Sequence, residues 1–268
     1  MSVEVAVIPA AGRGTRMRPA TRVVPKALIT VLDRPAVQYA VEEAARAGAA
    51  EAIVVVDLDV GHLVAQHFSL EGPVPGLEEI RVRTVVQEEP LGLGHAVFEA
   101  REMVAGRSFF CLLADNIVRP GSDVLPSLDV DRQDEDSVVC LRLLNDDLLA
   151  RYGVVAPAGE RDGDRLRLSG AVEKPGPEAA PSRFGLIGRY LFTPEVFEIL
   201  ETTEPGALGE IQLTDAIDEL GRRGRLTGFV AADDLLDVGT PEGLYHASVV
   251  LGAARFGRVP ESGGPSGP

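Results

Sequence analysis

Two kinds of residue in this chain have the type and spacing for chemistry on phosphate. One is a group of five cations, Arg13, Arg16, Arg18, Arg22 and Lys26, set in the glycine- and proline-rich stretch AAGRGTRMRPATRVVPK. The other is a set of carboxylates that end apolar runs, Asp57, Asp115 and Asp237. Glycines such as Gly12 and Gly14 let backbone N–H groups turn toward an anion with no Cβ in the way. Arg16 and Lys26 can then add full positive charge. Carboxylates at separate strand ends suit a hard cation that bridges phosphate oxygens. Each feature also has a plainer use: a glycine for a turn, a cation for a solvated loop, an aspartate for a strand end. The elements that carry these residues decide between the two.

The first apolar run, residues 3–8, feeds straight into the cationic loop. Residues 36–47 have helical spacing, with Val37, Ala40, Val41 and Ala44 on one face and a stop at Gly48. Strands are predicted at 53–56, 80–86 and 108–113, with helices at 63–68 and 94–104 between them. This rhythm predicts an α/β fold, a doubly wound, mostly parallel mixed sheet of Rossmann-like form, with ligands outside the carboxyl ends of its strands. Beyond residue 126 the pattern loosens. It predicts a strand at 137–144, a hairpin of 152–156 with 166–173, and a strand at 184–192. Helices at 194–200 and 210–220 follow, then strands at 226–231 and 235–238. Thr240 and Pro241 suit the N-cap and first turn of a last helix. Residues 1–258 read as one domain and 259–268, rich in Gly, Pro and Ser, as a disordered tail.

The chain has 268 residues, 45% of them hydrophobic, and 26 Lys and Arg against 41 Asp and Glu give it a formal charge of −15. So acidic a chain argues against nucleic acid and anionic membranes as partners. Its start does not resemble a signal peptide and no apolar run is long enough to span a bilayer, so the expected location is cytoplasmic. Cys111 and Cys140 lie inside apolar runs and read as buried thiols rather than a disulfide or a metal pair.

Two familiar phosphate motifs fit poorly. A P-loop needs Gly-Lys followed by Ser or Thr, which this loop lacks. A dinucleotide fingerprint needs a third glycine where Met17 stands, and Pro19 and Pro25 oppose a helix there. Asp57 could still hold a ribose, so a dinucleotide-dependent oxidoreductase stays open. The stretch IPAAGRGTRMRPATRVVPKALI resembles the signature of the sugar-nucleotide pyrophosphorylases, in particular the bacterial UTP–glucose-1-phosphate uridylyltransferases. VQYAVEEAARAG, PLGLGHAV, YGVV, VEKP, IGRYLFTPEVFEIL and GEIQLTDAI extend the resemblance, in order, to about residue 240. The chain departs from that pattern at Ala27, where the family has Glu, at residues 57–60, and at Asn116, where an acid is usual.

The resemblance implies a glycosyltransferase-A-like nucleotidyltransferase fold with a small sugar-binding β subregion. Residues 1–118 would form the nucleotide half, 119–240 the sugar-phosphate half, and 240–256 the C-terminal helix. It places Ala10, Ala11, Gly12, Arg13, Gly14 and Thr15 around the triphosphate, with Arg16 and Lys26 as catalytic cations. Gln87 and Gly92 form the base pocket, while His95 reads as a helix-start or packing residue. Asp115 belongs to the nucleotide site and, with Asp237, would bind Mg2+. Asn116, Gly153, Glu173, Lys174 and Gly188 fall on the sugar-phosphate side. The implied reaction is Mg-dependent in-line transfer of a uridylyl group from UTP to glucose 1-phosphate, giving UDP-glucose and pyrophosphate. Another nucleotide (dTTP, ATP or GTP) or another sugar 1-phosphate is the alternative, as is a non-catalytic regulatory paralogue that binds nucleotide sugar. A homodimer or homotetramer is also implied.

Overall fold

The computed structural model describes residues 3–70, 72–119, 121–122, 124–130, 136–206, 209–232 and 235–257. The tail expected at 259–268 lies outside them. The chain opens with β1 (Val5–Pro9), a short hairpin of β2 (Thr30–Val31) and β3 (Arg34–Pro35), and α1 (Ala36–Arg46). It continues through β4 (Glu51–Val56), α2 (Gly61–Ser69), β5 (Arg81–Val86), α3 (Leu93–Phe98), α4 (Arg101–Val104) and β6 (Phe109–Leu112). The second part holds β7 (Asn116–Val118), α5 (Val124–Asp129), β8 (Ser137–Leu143), α6 (Asp146–Leu149), β9 (Val154–Pro157) and β10 (Arg165–Val172). Then follow α7 (Gly176–Ala179), β11 (Phe184–Phe192), α8 (Glu195–Thr202), α9 (Leu213–Arg222), β12 (Leu226–Val230), β13 (Leu235–Asp237) and α10 (Pro241–Phe256).

The main sheet runs β5-β4-β1-β6-β11-β8-β12-β10-β9. It is mixed, and its parallel character is unevenly spread. The joins β5–β4, β4–β1, β1–β6 and β8–β12 are parallel, while β11 is antiparallel to both β6 and β8, and β10 to both β12 and β9. In the first part a helix crosses over between successive parallel strands. In the second part β9 and β10 form a hairpin, which demands antiparallel pairing, and β11 inserts antiparallel between β6 and β8.

Both faces of the sheet are covered, so its central strands are apolar throughout. Successive residues alternate between two cores. In β4, Ala52, Val54 and Val56 face one core, and Ile53 and Val55 the other. In β6, Phe110 and Leu112 face the first, and Phe109 and Cys111 the second. The stripe Val37, Ala40, Val41 and Ala44 buries α1 in the first core. Leu213, Ala216, Ile217 and Leu220 do the same for α9 in the second. Both cysteines are free and buried, and burial pushes the Cys140 thiol up to about 12.

Some expected boundaries move. The helix expected at 94–104 is two short helices, because the chain tightens where the Ala100 N–H bonds the Val97 carbonyl, three residues back. The helix expected to start at 210 starts at Leu213, because the Ile211 backbone is instead engaged with the 91–94 segment: its N–H bonds Leu91 O at 2.6 Å and its carbonyl accepts from Gly94 N at 2.8 Å. The cap of α10 is as expected, with Thr240 Oγ1 accepting from Gly243 N at 3.1 Å. Among the described residues no helix is long and apolar enough to cross a membrane.

Candidate active site

The parallel strands β5, β4, β1 and β6 all point their carboxyl ends the same way, and that edge carries the nucleotide-side candidates. Ala10 to Arg16 follow β1, Gln87 follows β5, and Asp115 follows β6. A cavity of about 490 Å³ opens there. Its lining includes Ala10, Ala11, Gly12, Arg13, Gly14, Thr15, Lys26, Gln87, Gly92 and Asp115, so the structure gathers these expected nucleotide-site residues around one space. A larger hollow of about 730 Å³, beside α1 and residues 75–80, contains none of the candidates.

Lys26 enters the cavity from the far end of the loop. Gly14 sits against its stem: a Cβ added at Gly14 would lie 2.9 Å from Lys26 Cβ. Thr21 Oγ1 ties the loop down by donating to Gly14 O at 2.7 Å. The Lys26 ammonium forms an ion pair with Asp115. Burial alone would raise the Asp115 carboxyl, but the Lys26 charge beside it, with Arg16 adding to it, holds the group below its ordinary value. Asp115 is therefore ionised at neutral pH.

Asp237 reaches the same place through a separate two-stranded sheet. β13 pairs antiparallel with β7 so that Asp237 stands opposite Asn116, and Val238 N–H bonds Asp115 O at 2.8 Å. Gly239 marks the point of convergence. A Cβ placed on it would lie 2.8 Å from Asp237 Oδ1, 3.0 Å from Asp115 Oδ2 and 3.2 Å from Arg16 Nη2. Two carboxylates and two cations, from three separate segments, thus crowd one small space beside the cavity. Among the described residues no group of three or more His, Cys, Asp or Glu side chains is arranged to hold a metal ion. The aspartate pair has the chemistry to hold a hard divalent cation that takes its remaining ligands from phosphate oxygens and water.

Gln87 and Gly92, the candidates for the base pocket, line the same cavity. Gly92 has φ 105°, and any side chain there would meet Ile211 O at 2.7 Å, so only glycine fits. Gln87 is buried, and its Nε2 lies 3.0 Å from Gly92 O and 3.0 Å from His95 Nδ1. His95 lies in the first turn of α3, as expected, and also contacts the Gln87 amide. Glu210 also lines this cavity and bonds Gln212 Nε2 at 2.8 Å.

The sugar-side candidates fall into two groups. Gly153 precedes β9, and Glu173 follows β10, its hairpin partner. A Cβ on Gly153 would be 3.0 Å from Thr214 Oγ1 and 3.3 Å from Glu173 Oε2. Thr214 donates to Glu173 Oε2 at 2.6 Å, and Lys174 Nζ pairs with Glu173 Oε1 at 2.7 Å. The second group is Gly188 and Asn116. Gly188 has φ 76° at an irregular point of β11, and a Cβ there would lie 2.6 Å from Asn116 Nδ2 and 3.0 Å from the Leu113 side chain. Leu113 is itself part of the wall of the 490 Å³ cavity, so this group adjoins it. Tyr152 links the first group to the carboxylates: it precedes Gly153, and its hydroxyl lies 3.4 Å from Asp237 Oδ2.

One buried assembly that sequence reasoning missed supports the junction. Arg189, fully buried in β11, pairs with Glu43 of α1, with Nη2 2.7 Å from Oε2 and Nε 2.9 Å from Oε1. It also donates to the carbonyls of Leu113 (3.2 Å), Gly188 (2.9 Å) and Asn116. The guanidinium thus grips the turn that carries Asp115 from both sides. The signal was available: an arginine within the apolar strand FGLIGRYLF and a glutamate on the buried side of a helix. Neither shows that the two meet.

A nucleotidyl transferase family model matches residues 5–253. The chain is 35% identical over 266 residues to UTP–glucose-1-phosphate uridylyltransferase 2 of Staphylococcus saprophyticus, covering 92% of this chain and 91% of that one. It is 35% identical over 265 residues to UTP–glucose-1-phosphate uridylyltransferase of Bacillus subtilis, covering 92% and 90%. A solved structure of UDP-glucose pyrophosphorylase complexed with UDP-glucose superimposes with a TM-score of 0.84 at 30% identity, covering 96% of this chain and all of the other. By sequence and by architecture alike, the chain belongs to the nucleotidyl transferase family.

Proposed function

We propose that this chain is a UTP–glucose-1-phosphate uridylyltransferase, joining UTP and glucose 1-phosphate to give UDP-glucose and pyrophosphate. The carrying observation is the shared cavity: the Gly12–Gly14 loop, Lys26 and Asp115 at one end, and Gln87 with Gly92 at the other. The named relatives and the UDP-glucose complex support the choice of uridine and glucose. Family membership removes the ground for the oxidoreductase reading. Lys26, Asp115 and Asp237 are all in place, which speaks against a non-catalytic paralogue.

In the reaction, a phosphate oxygen of glucose 1-phosphate attacks the α-phosphorus of UTP. A new P–O bond forms, the bond to the bridging oxygen breaks, and pyrophosphate leaves. The backbone of Gly12 to Thr15 cradles the triphosphate, and Lys26 and Arg16 neutralise the charge that moves onto the leaving group. Asp115 and Asp237 would hold magnesium, which supplies positive charge to the phosphate oxygens when bound. Lys26 would then exchange its contact with Asp115 for one with phosphate. Glu173 and Lys174, with Gly153, Gly188 and Asn116, orient the sugar phosphate for in-line attack.

We read the fold as one domain with a nucleotide half (1–118) and a sugar-phosphate half (119–240) closed by the C-terminal helix. We place the enzyme in the cytosol as a homodimer or homotetramer, without nucleic acid or membrane partners. The two free, buried thiols fit a reducing compartment. The test is pyrophosphate release with Mg2+ and glucose 1-phosphate, with UTP, dTTP, ATP, CTP and GTP side by side. Fast turnover with UTP is expected, and a faster reaction with another nucleotide would overturn the substrate assignment.

A further inference from the structure

We infer that His95 and Glu99 form a positioning relay that fixes which end of the Gln87 amide faces the base, and so makes the site selective for an imide. The inference rests on the reading of this cavity as a uridine site. It starts from an ambiguity in glutamine itself. The amide has a donor end and an acceptor end of nearly the same size, and a half-turn about χ3 exchanges them. A glutamine free to turn would accept either uracil or cytosine. Uracil presents an N3–H donor, whereas cytosine presents an N3 lone pair. Discrimination between them needs the amide held in one sense.

The structure supplies the lock. Gly92 O, 3.0 Å from Gln87, is a carbonyl and can only accept, so the group facing it must be the NH2. The same nitrogen lies 3.0 Å from His95 Nδ1, which must then be an unprotonated acceptor. The ring proton of the neutral imidazole therefore sits on Nε2, which lies 3.1 Å from Glu99 Oε1. The Glu99 carboxylate holds that tautomer in place. His95 and Glu99 stand one helical turn apart, at i and i+4, which brings them to the same face. Among the described residues Oε1 of Gln87 accepts no hydrogen bond, and Gln87 is part of the cavity wall. The acceptor end is thus left for the ligand. It matches the N3–H of uracil and opposes the lone pair of cytosine. Thymine has the same imide, so the relay separates UTP from CTP and not from dTTP.

The role is one of positioning, since His95 acts on the base only through Gln87. The experiment compares kcat/KM for UTP with that for CTP, at saturating glucose 1-phosphate, in the wild type, His95→Ala, His95→Asn and Glu99→Ala. The wild type is expected to prefer UTP strongly. His95→Ala is expected to lower the UTP-to-CTP ratio about tenfold or more, since the amide NH2 loses one of its two acceptors. Most of the loss should appear as a higher KM for UTP, with KM for glucose 1-phosphate unchanged. Glu99→Ala should shift the ratio the same way by less. His95→Asn, whose side-chain oxygen can replace Nδ1 as acceptor, should restore most of the discrimination. A wild type with no preference for UTP over CTP would overturn the base-site reading and the relay together. An intact preference in His95→Ala overturns the relay alone. If that variant fails to fold, an unchanged ratio in Glu99→Ala does the same. Equal losses in His95→Asn and His95→Ala would show that the ring matters as packing and not as an acceptor.

Discussion

The proposed nucleotide side and the proposed sugar side of this site are built in different ways. On the nucleotide side, parallel strands deliver a continuous loop (Ala10 to Arg16), Gln87 and Asp115 to one edge of the sheet. Each lies just past the end of its own strand, so the geometry comes with the fold. On the sugar side the contributors are Gly153, Glu173 with Lys174, Thr214 and Gly188 with Asn116, single residues from distant segments. Gly153 and Glu173 are brought together by the β9–β10 hairpin, Thr214 by the packing of α9 on it, and Gly188 with Asn116 where β11 passes β7. The first set lies just past strand ends that the local sequence marks, while the second depends on which distant segments pack together. The nucleotide side should therefore fail through individual charges, and the sugar side through small displacements.

The junction between them is where the largest effect is expected. Arg189→Met leaves Glu43 buried without its partner and frees the carbonyls of Leu113 and Asn116. A loss of about 3–5 kcal/mol in unfolding free energy by urea denaturation is expected. The double variant Arg189→Met with Glu43→Leu should recover a large part of it, because no uncompensated charge remains. Next is Lys26→Ala, which removes charge from the phosphate end and leaves the core untouched. It should lower kcat about 100- to 1,000-fold in a pyrophosphate-release assay, with an unchanged thermal midpoint. Loss of fold in this variant would show that the Lys26–Asp115 pair is structural.

Glu173→Gln should sharpen the contrast between the halves. It is expected to raise KM for glucose 1-phosphate about 10- to 100-fold while leaving KM for UTP alone. An equal rise in both would mean that the two halves are not separable. The smallest effect is expected from Thr214→Val, which removes the hydroxyl that holds Glu173 Oε2. It should shift the same KM in the same direction by about fivefold, the worth of one hydrogen bond of about 1 kcal/mol.

Most strands and helices were legible in the sequence because both faces of the sheet are buried and the helices carry regular apolar stripes. The run Ile53 to Val56 and the stripe Val37, Ala40, Val41 and Ala44 are where the pattern placed them. The break between α3 and α4 was not legible, since His95 to Val104 offers no glycine or proline to mark it. The candidates from Ala10 to Lys26 could be read because they lie in one stretch with a motif. The pairings His95 with Gln87, Thr214 with Glu173 and Arg189 with Glu43 could not, since each depends on which elements pack together.

The sequence by itself determined the chemistry available: a cationic glycine loop, carboxylates at strand ends, and an apolar pattern that only a covered sheet can satisfy. Only the tertiary structure decided which of those groups share a space. Strand order brought the ends of β5, β1 and β6 side by side, and the pairing of β13 with β7 carried Asp237 to Asp115. The physical reason is range. Burial and backbone propensity act along a few turns of chain and leave a periodic trace in the sequence. A hydrogen bond between residues 146 positions apart, such as Arg189 to Glu43, leaves only two misplaced charges to be explained.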